Sequence, residues 1–285
     1  MRVAVTGSHG FIGSALVPAL ENGGHEVVRV GRDADGTLDV AKLYGADAVV
    51  HLAGEGVAAK RWTPEQKRRV LESRTQGTGL LAETIAGMER KPSVLLSASA
   101  IGYYGDRGDE VLTEASGAGR GFLSQVCVQW EAATAPAEAA GIRVAHMRTG
   151  IVVGKSGGAV AKTLPLFKLG LGGRIGSGKQ YWSWISLTDE IGAIRFLLDH
   201  EVAGPVNLTA PEPVTNAVFT KAVGRALHRP TLVPVPKFGP RLLLGREAAE
   251  EVVSFSQRVE PVVLARAGYP FVHPTVDEAV TAELR

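Results

Sequence analysis

The chain has 285 residues, 45% hydrophobic and 21% charged, with a formal net charge of +2. That length supports an ample core, and the near-neutral balance gives no argument for nucleic-acid or membrane binding. One cysteine excludes an internal disulfide and a cysteine-cluster metal site. No apolar run approaches a membrane span and no secretory leader is visible, so a metal-free cytoplasmic protein is expected.

Residues 2–6 form an apolar, β-branched run that reads as a strand. Gly7-Ser8-His9-Gly10-Phe11-Ile12-Gly13 follows at once, and a helical pattern covers 11–22. A strand, a glycine turn and a helix in that order make a phosphate cradle. Glycine lets the backbone approach a diphosphate, and the helix start presents N–H groups and a positive dipole end. Pro18 should kink this helix, but Ile12, Leu16, Val17 and Leu20 still share one apolar face.

Further strands are expected at 26–30, 48–52, 93–97 and 143–147, with helices near 64–88 and 121–140. The strands are continuous apolar runs, as in a parallel sheet covered on both faces. The alternation predicts a doubly wound α/β (Rossmann) domain over residues 1–150, with its ligand at the carboxyl ends of the strands. Residues 151–285 read as a smaller, partly helical substrate domain, from which a stretch at about 185–210 returns to the sheet. Within it, 154–180 is rich in glycine and lysine, with no long strand, and reads as a mobile lid or a surface loop. Residues 204–214 suggest a strand, 241–257 a helix, and Thr275 to Glu278 the capping box of a last helix.

The second strand ends in Gly31-Arg32, where an NAD site would carry an acid. A guanidinium there suits the 2′-phosphate of NADP, and His9 could add a donor. The competing reading leaves Arg32 in solvent and gives the ribose to Asp33, in an NAD site. Asp39 is spaced to meet the adenine.

His51-Leu52-Ala53-Gly54, Arg74-Thr75-Gln76-Gly77-Thr78, Ser97-Ala98-Ser99 with Tyr103-Tyr104-Gly105, and Arg148-Thr149-Gly150 join the glycine motif in a pattern. It resembles the extended short-chain dehydrogenase/reductase superfamily, in particular an atypical epimerase-family NADP-binding branch. Trp184 to Glu190 and Leu264 to Phe271 are similar to that branch's later motifs. The resemblance implies that Gly7, Gly10, Phe11, Ile12 and Gly13 line the pyrophosphate. It runs Leu52, Ala53 and Gly54 along the cofactor, makes Ser99 the catalytic serine, and brings Arg148 over the nicotinamide end.

The superfamily's tyrosine and its lysine four residues later are missing. The best register puts Leu123 and Cys127 there, and Arg74 replaces the usual asparagine. A tyrosine near its ordinary pKa of about 10 is a poor base without a cation beside it. Arg74 can restore a positive charge, Cys127 is either a buried filler or a thiol activated by it, and Tyr103 is a candidate acid; Tyr104, Glu55 and Glu131 are further candidates. The expected activity is an NADP(H)-dependent oxidoreductase or epimerase on a small polar metabolite, as a monomer or homodimer. The alternative is a catalytically silent NADP-binding module, a redox sensor or scaffold.

Overall fold

A computed structural model describes residues 1–32, 37–236 and 238–285. At its centre is a six-stranded sheet of β1 (Arg2–Thr6), β2 (Glu26–Val30), β3 (Ala48–His51), β4 (Val94–Ala100), β6 (Arg143–Thr149) and β10 (Gly204–Leu208). The spatial order is β10-β6-β4-β3-β1-β2 and every pairing is parallel. The chain reverses its direction of growth between β1 and β3, so the carboxyl ends of those two strands flank the crevice where such sheets bind ligands. Short strands add to the frame: β5 (Val111–Leu112) pairs with β12 (Arg258–Val259), β7 (Ile151–Val153) with β9 (Trp184–Ser186), and β8 (Tyr181–Trp182) with β11 (Val214–Thr215).

The apolar runs explain the layers. Val3, Val5, Val50, Leu96 and Met147 bury one face of the sheet against α1 (Phe11–Asn22) and α6 (Leu187–Asp199). Ala4, Val49, Leu95 and Val144 bury the other against α2 (Pro64–Ala86) and α4 (Ala135–Ala139). A separate core joins α5 (Gly158–Lys168), α7 (Asn216–Ala226) and α11 (Val276–Leu284).

Three local expectations are corrected. The helix expected over 121–140 is two, α3 (Phe122–Ala132) and α4, because Pro136 in the first turn of α4 lacks the donor a continuous helix needs. The stretch read as lid or loop contains α5, whose Val160, Leu164 and Phe167 point inward. Expected helix 241–257 is a broken series: α8 (Phe238–Leu244), α9 (Arg246–Ala249) after Gly245 at φ +87°, and a π-helical turn at Glu250–Ser254. Pro18 leaves α1 unbroken. The last helix carries the capping box expected at Thr275 and Glu278.

Candidate functional site

The mouth of α1 is built from backbone. Gly7 has φ +67°, and a Cβ there would lie 2.8 Å from the Leu52 carbonyl carbon. A Cβ on Gly13 would collide with the Gly7 carbonyl oxygen, so this glycine sets how closely helix and strand approach. Gly10 caps the helix, its N–H bonded to the Gly7 oxygen at 2.9 Å; the cap carries no side-chain bond and the first turn no acid. The amides of that turn and the positive dipole end therefore face the crevice without a competing carboxylate. That is the fit a diphosphate requires. Phe11 abuts Gly154, Gly157 and Gly158, and Ile12 and Leu52 border the same core.

The other cofactor candidates are dispersed along the crevice. His9 is exposed, with Nδ1 3.3 Å from Ser8 Oγ. Arg32 is exposed just past β2 and bridges to Leu38, while Asp33 lies outside the described residues. Asp39 forms an ion pair with Lys42 at 3.0 Å. Ala53 and Gly54 continue from β3, where Thr6 Oγ1 accepts the Leu52 and Ala53 amides at 3.1 and 3.2 Å. With both lone pairs so used, Thr6 donates its proton to His51 Nδ1 (2.7 Å), and His51 Nε2 donates to Thr78 Oγ1 (2.9 Å). Burial pushes the His51 pKa down to about 4, so the ring is neutral and serves as a relay of fixed dipoles. Trp130 Nε1 donates to the same Thr78 oxygen at 3.0 Å. One chain of bonds thus ties the cofactor loop to α2 and α3.

Arg74 sits where that chain ends. Its Cζ is 4.8 Å from the Trp130 ring centroid, and its Nη1 donates to the carbonyl oxygens of Glu55 (2.9 Å) and Val70 (3.1 Å). A Cβ on Gly54 would stand 3.3 Å from the guanidinium carbon, so Gly54 is what lets the cation approach the loop. Cys127 is buried and its thiol donates to the Ala100 carbonyl at 3.6 Å. Burial, aided by Glu131, pushes its pKa up to about 11 despite Arg74, which leaves a protonated filler rather than an activated nucleophile. Leu123 and Cys127 pack on Gly102.

The polar centre lies one turn further along α3. Ser99 Oγ donates to Glu131 Oε1 at 2.6 Å. Arg148 binds both Glu131 oxygens, Nε to Oε1 and Nη2 to Oε2, each at 2.8 Å, and its Nη1 donates to Tyr104 Oη at 3.1 Å. Tyr104 donates in turn to Asn207 Oδ1 at 2.7 Å. Arg148 Cζ lies 3.5 Å from the Tyr103 ring centroid. Burial alone would lower the Arg148 pKa, but the bonds to Glu131 outweigh it and raise it. The structure therefore brings Ser99, Tyr103 and Arg148 together. It spends the donors of Arg148 on Glu131 and Tyr104, and keeps Arg74 on the Cys127 side of α3. Asn207 gave no sequence signal, because it reaches the site only through β10. Glu131 had one: its place one helical turn after Cys127.

The C-terminal segment closes the frame. Glu251 accepts the amides of Phe122 and Leu123, both at 2.8 Å, and so caps α3 from a distant part of the chain. Asp189 accepts from the amides of Val272 (2.8 Å) and His273 (2.9 Å) and from Tyr269 Oη (3.1 Å). Among the described residues, no His/Cys/Asp/Glu group could hold a metal ion, and no helix is long and apolar enough to cross a membrane.

A model of the NAD dependent epimerase/dehydratase family matches residues 3–209. The chain belongs to that family. A second model, a domain of unknown function (DUF1731), matches residues 235–283. The epimerase family protein Mb2239 of Mycobacterium bovis is 44% identical, covering 98% of this chain and 96% of its own. The crystal structure of human epimerase family protein SDR39U1 (isoform 2) with NADPH superposes with a TM-score of 0.92, at 33% identity and 99% of each chain. A UDP-glucose 4-epimerase from Thermotoga maritima, solved with UDP-glucose, reaches 0.80 at 17% identity, a likeness of fold. The resemblance read from the motifs and the Rossmann-like sheet are both borne out.

Proposed function

We propose that this family member is a cytoplasmic NADP(H)-dependent oxidoreductase or epimerase acting on a carbinol or carbonyl carbon of a small polar metabolite. The observation that carries the reading is the conjunction of an acid-free α1 mouth with Ser99, whose proton is committed to Glu131. Gly7, Gly10, Phe11, Ile12 and Gly13 would hold the diphosphate, Leu52, Ala53 and Gly54 the adjoining length of the cofactor, and Arg32 with His9 the 2′-phosphate. The NADPH bound to the human relative favours this choice. When bound, the cofactor supplies or takes the hydride.

The remaining chemistry belongs to the chain. Because Ser99 donates to Glu131, its free lone pair accepts from a substrate hydroxyl, so the resting site is set to receive a carbinol. The carbinol proton would pass to Ser99 Oγ while the serine proton passes to Glu131 Oε1. Arg148 holds that carboxylate in place through both its oxygens, and Arg74 supplies a second cation for an anionic substrate group.

The silent-module reading draws on Leu123 and Cys127 in place of the usual pair. A panel of carbinols and carbonyls, followed by NADPH absorbance, separates the two. Turnover that Ser99→Ala removes, with NADPH affinity kept, is the expected result. Tight NADPH binding with no turnover across the panel would establish the module.

A further inference from the structure

The near-neutral total charge hides a lopsided distribution. The sequence has no acidic residue between Glu138 and Asp189, and none between Glu212 and Glu247. These two stretches meet in space: Val235 N donates to the Arg174 oxygen at 2.8 Å, Arg229 Nε to the Lys168 oxygen at 2.8 Å, and Gly170 lies against Pro230. Several of their exposed cations stand without the carboxylates that answer cations elsewhere. Lys162, Arg174 and Arg229 donate to backbone carbonyls, whereas Arg90, Arg107 and Lys67 pair with acids. Arg225, Arg241 and Arg246 are exceptions: Arg225 binds both oxygens of Asp277, from 2.6 Å, and Arg241 and Arg246 lie 3.0 and 3.5 Å from Glu250.

The same two stretches carry the most exposed large apolar side chains among the described residues: Leu232 (88%), Leu242 (76%), Leu169 (73%) and Phe238 (68%). They stand at the end of α5, in a loop and on the short helix α8. Beside Leu232 an open cavity of about 500 Å³ is edged by Lys221, His228, Arg229 and Arg225, the last already paired with Asp277. Projecting leucines with a basic rim suit a soft surface that yields to them and bears negative groups at their bases. A protein partner would instead require a fitted apolar surface.

We propose that this face docks on an anionic lipid bilayer. The apolar prongs enter the headgroup boundary, and the basic cavity beside Leu232 takes a headgroup phosphate. The cytoplasmic leaflet has the required charge. Nothing in the proposal depends on the chemistry at Ser99.

Sedimentation of the full-length protein with vesicles tests it, using phosphatidylcholine alone and phosphatidylcholine mixed with phosphatidylglycerol. Binding is expected only to the mixed vesicles, and it should weaken at high salt. The double variant Leu169→Ser/Leu232→Ser should reduce partitioning about ten-fold or more. Lys162→Gln/Lys168→Gln/Lys221→Gln should remove the salt-sensitive part, with melting temperature and NADPH affinity unchanged. Failure to sediment with mixed vesicles at low salt, or equal binding to both compositions, overturns the proposal. So does a dimer in light scattering that Leu169→Ser/Leu232→Ser converts to monomer, since the prongs would then belong to a second copy.

Discussion

The mouth of α1 and the corner around Ser99 lie at the same edge of one sheet but are made from different materials. The mouth is backbone, shaped by three glycines within seven residues of sequence. The corner is side chain, assembled from β4, the turn after it, α3, β6 and β10, and its bonds span up to 103 positions. A backbone site tolerates no added atom, whereas a side-chain site tolerates no lost partner. The two regions should therefore fail under opposite kinds of substitution.

The largest effect is expected from adding one carbon at the mouth. Gly13→Ala places its Cβ against backbone rather than a yielding side chain. It should cost about 3 kcal/mol or more and abolish measurable NADPH binding. A variant with wild-type melting and affinity, by calorimetry, would break the contrast.

At the corner, losing a partner should approach the same size. Arg148→Met leaves the partly buried Glu131 carboxylate without its cation, at a cost of about 3 kcal/mol in chemical denaturation. Pairing that change with Glu131→Gln should recover part of the loss, because no charge is then stranded. Equal destabilisation in the single and double variants would show that the ion pair is not the source.

Glu190 sharpens the comparison through pH. Burial raises its pKa to about 8, with Thr149 Oγ1 donating to one oxygen at 3.0 Å and the other buried without a partner. The folded state thus holds this proton more tightly than the unfolded chain. Stability is complete below the ordinary carboxyl range and falls as pH rises toward 8. His51, lowered to about 4, acts in the opposite sense but is neutral in both states above its ordinary value near 6.5. Between pH 6.5 and 8, wild-type stability should therefore fall while Glu190→Gln stays level. Parallel profiles in urea titrations would remove Glu190 as the cause.

The smallest effect is expected at the rim of the mouth. Arg32→Glu should shift the NADPH-to-NADH affinity ratio by about ten- to a hundred-fold, the scale of one or two charge-assisted bonds. An unchanged ratio would move the phosphate contact to another residue.

The same contrast explains what the sequence disclosed. β1 and β2 run over residues 2–6 and 26–30 as read, since Val3 and Val5, and Val27, Val28 and Val30, mark both as strands. β4 extends to Ala100, three residues beyond the reading, because Ser-Ala-Ser-Ala carries little apolar signal. α5 hid among glycines that serve the approach of Phe11. The glycine motif is local and so legible, whereas Asn207, Glu251 and the ion pair of Glu131 with Arg148 are long-range meetings that no spacing rule encodes. Cys127 is instructive: its position was visible, but its inertness depends on burial that only packing reveals.

The Glu251 carboxylate on the first amides of α3 bears on how this protein can be dissected. A fragment ending before residue 245 would keep the whole sheet yet uncover the start of the helix that carries Glu131. Residues 272 and 273, bonded to Asp189, stitch the far side in the same way. The region of unknown function at 235–283 is then no appendage to a nucleotide-binding unit but its keystone. Swapping it between relatives should succeed only when these seams are exchanged together.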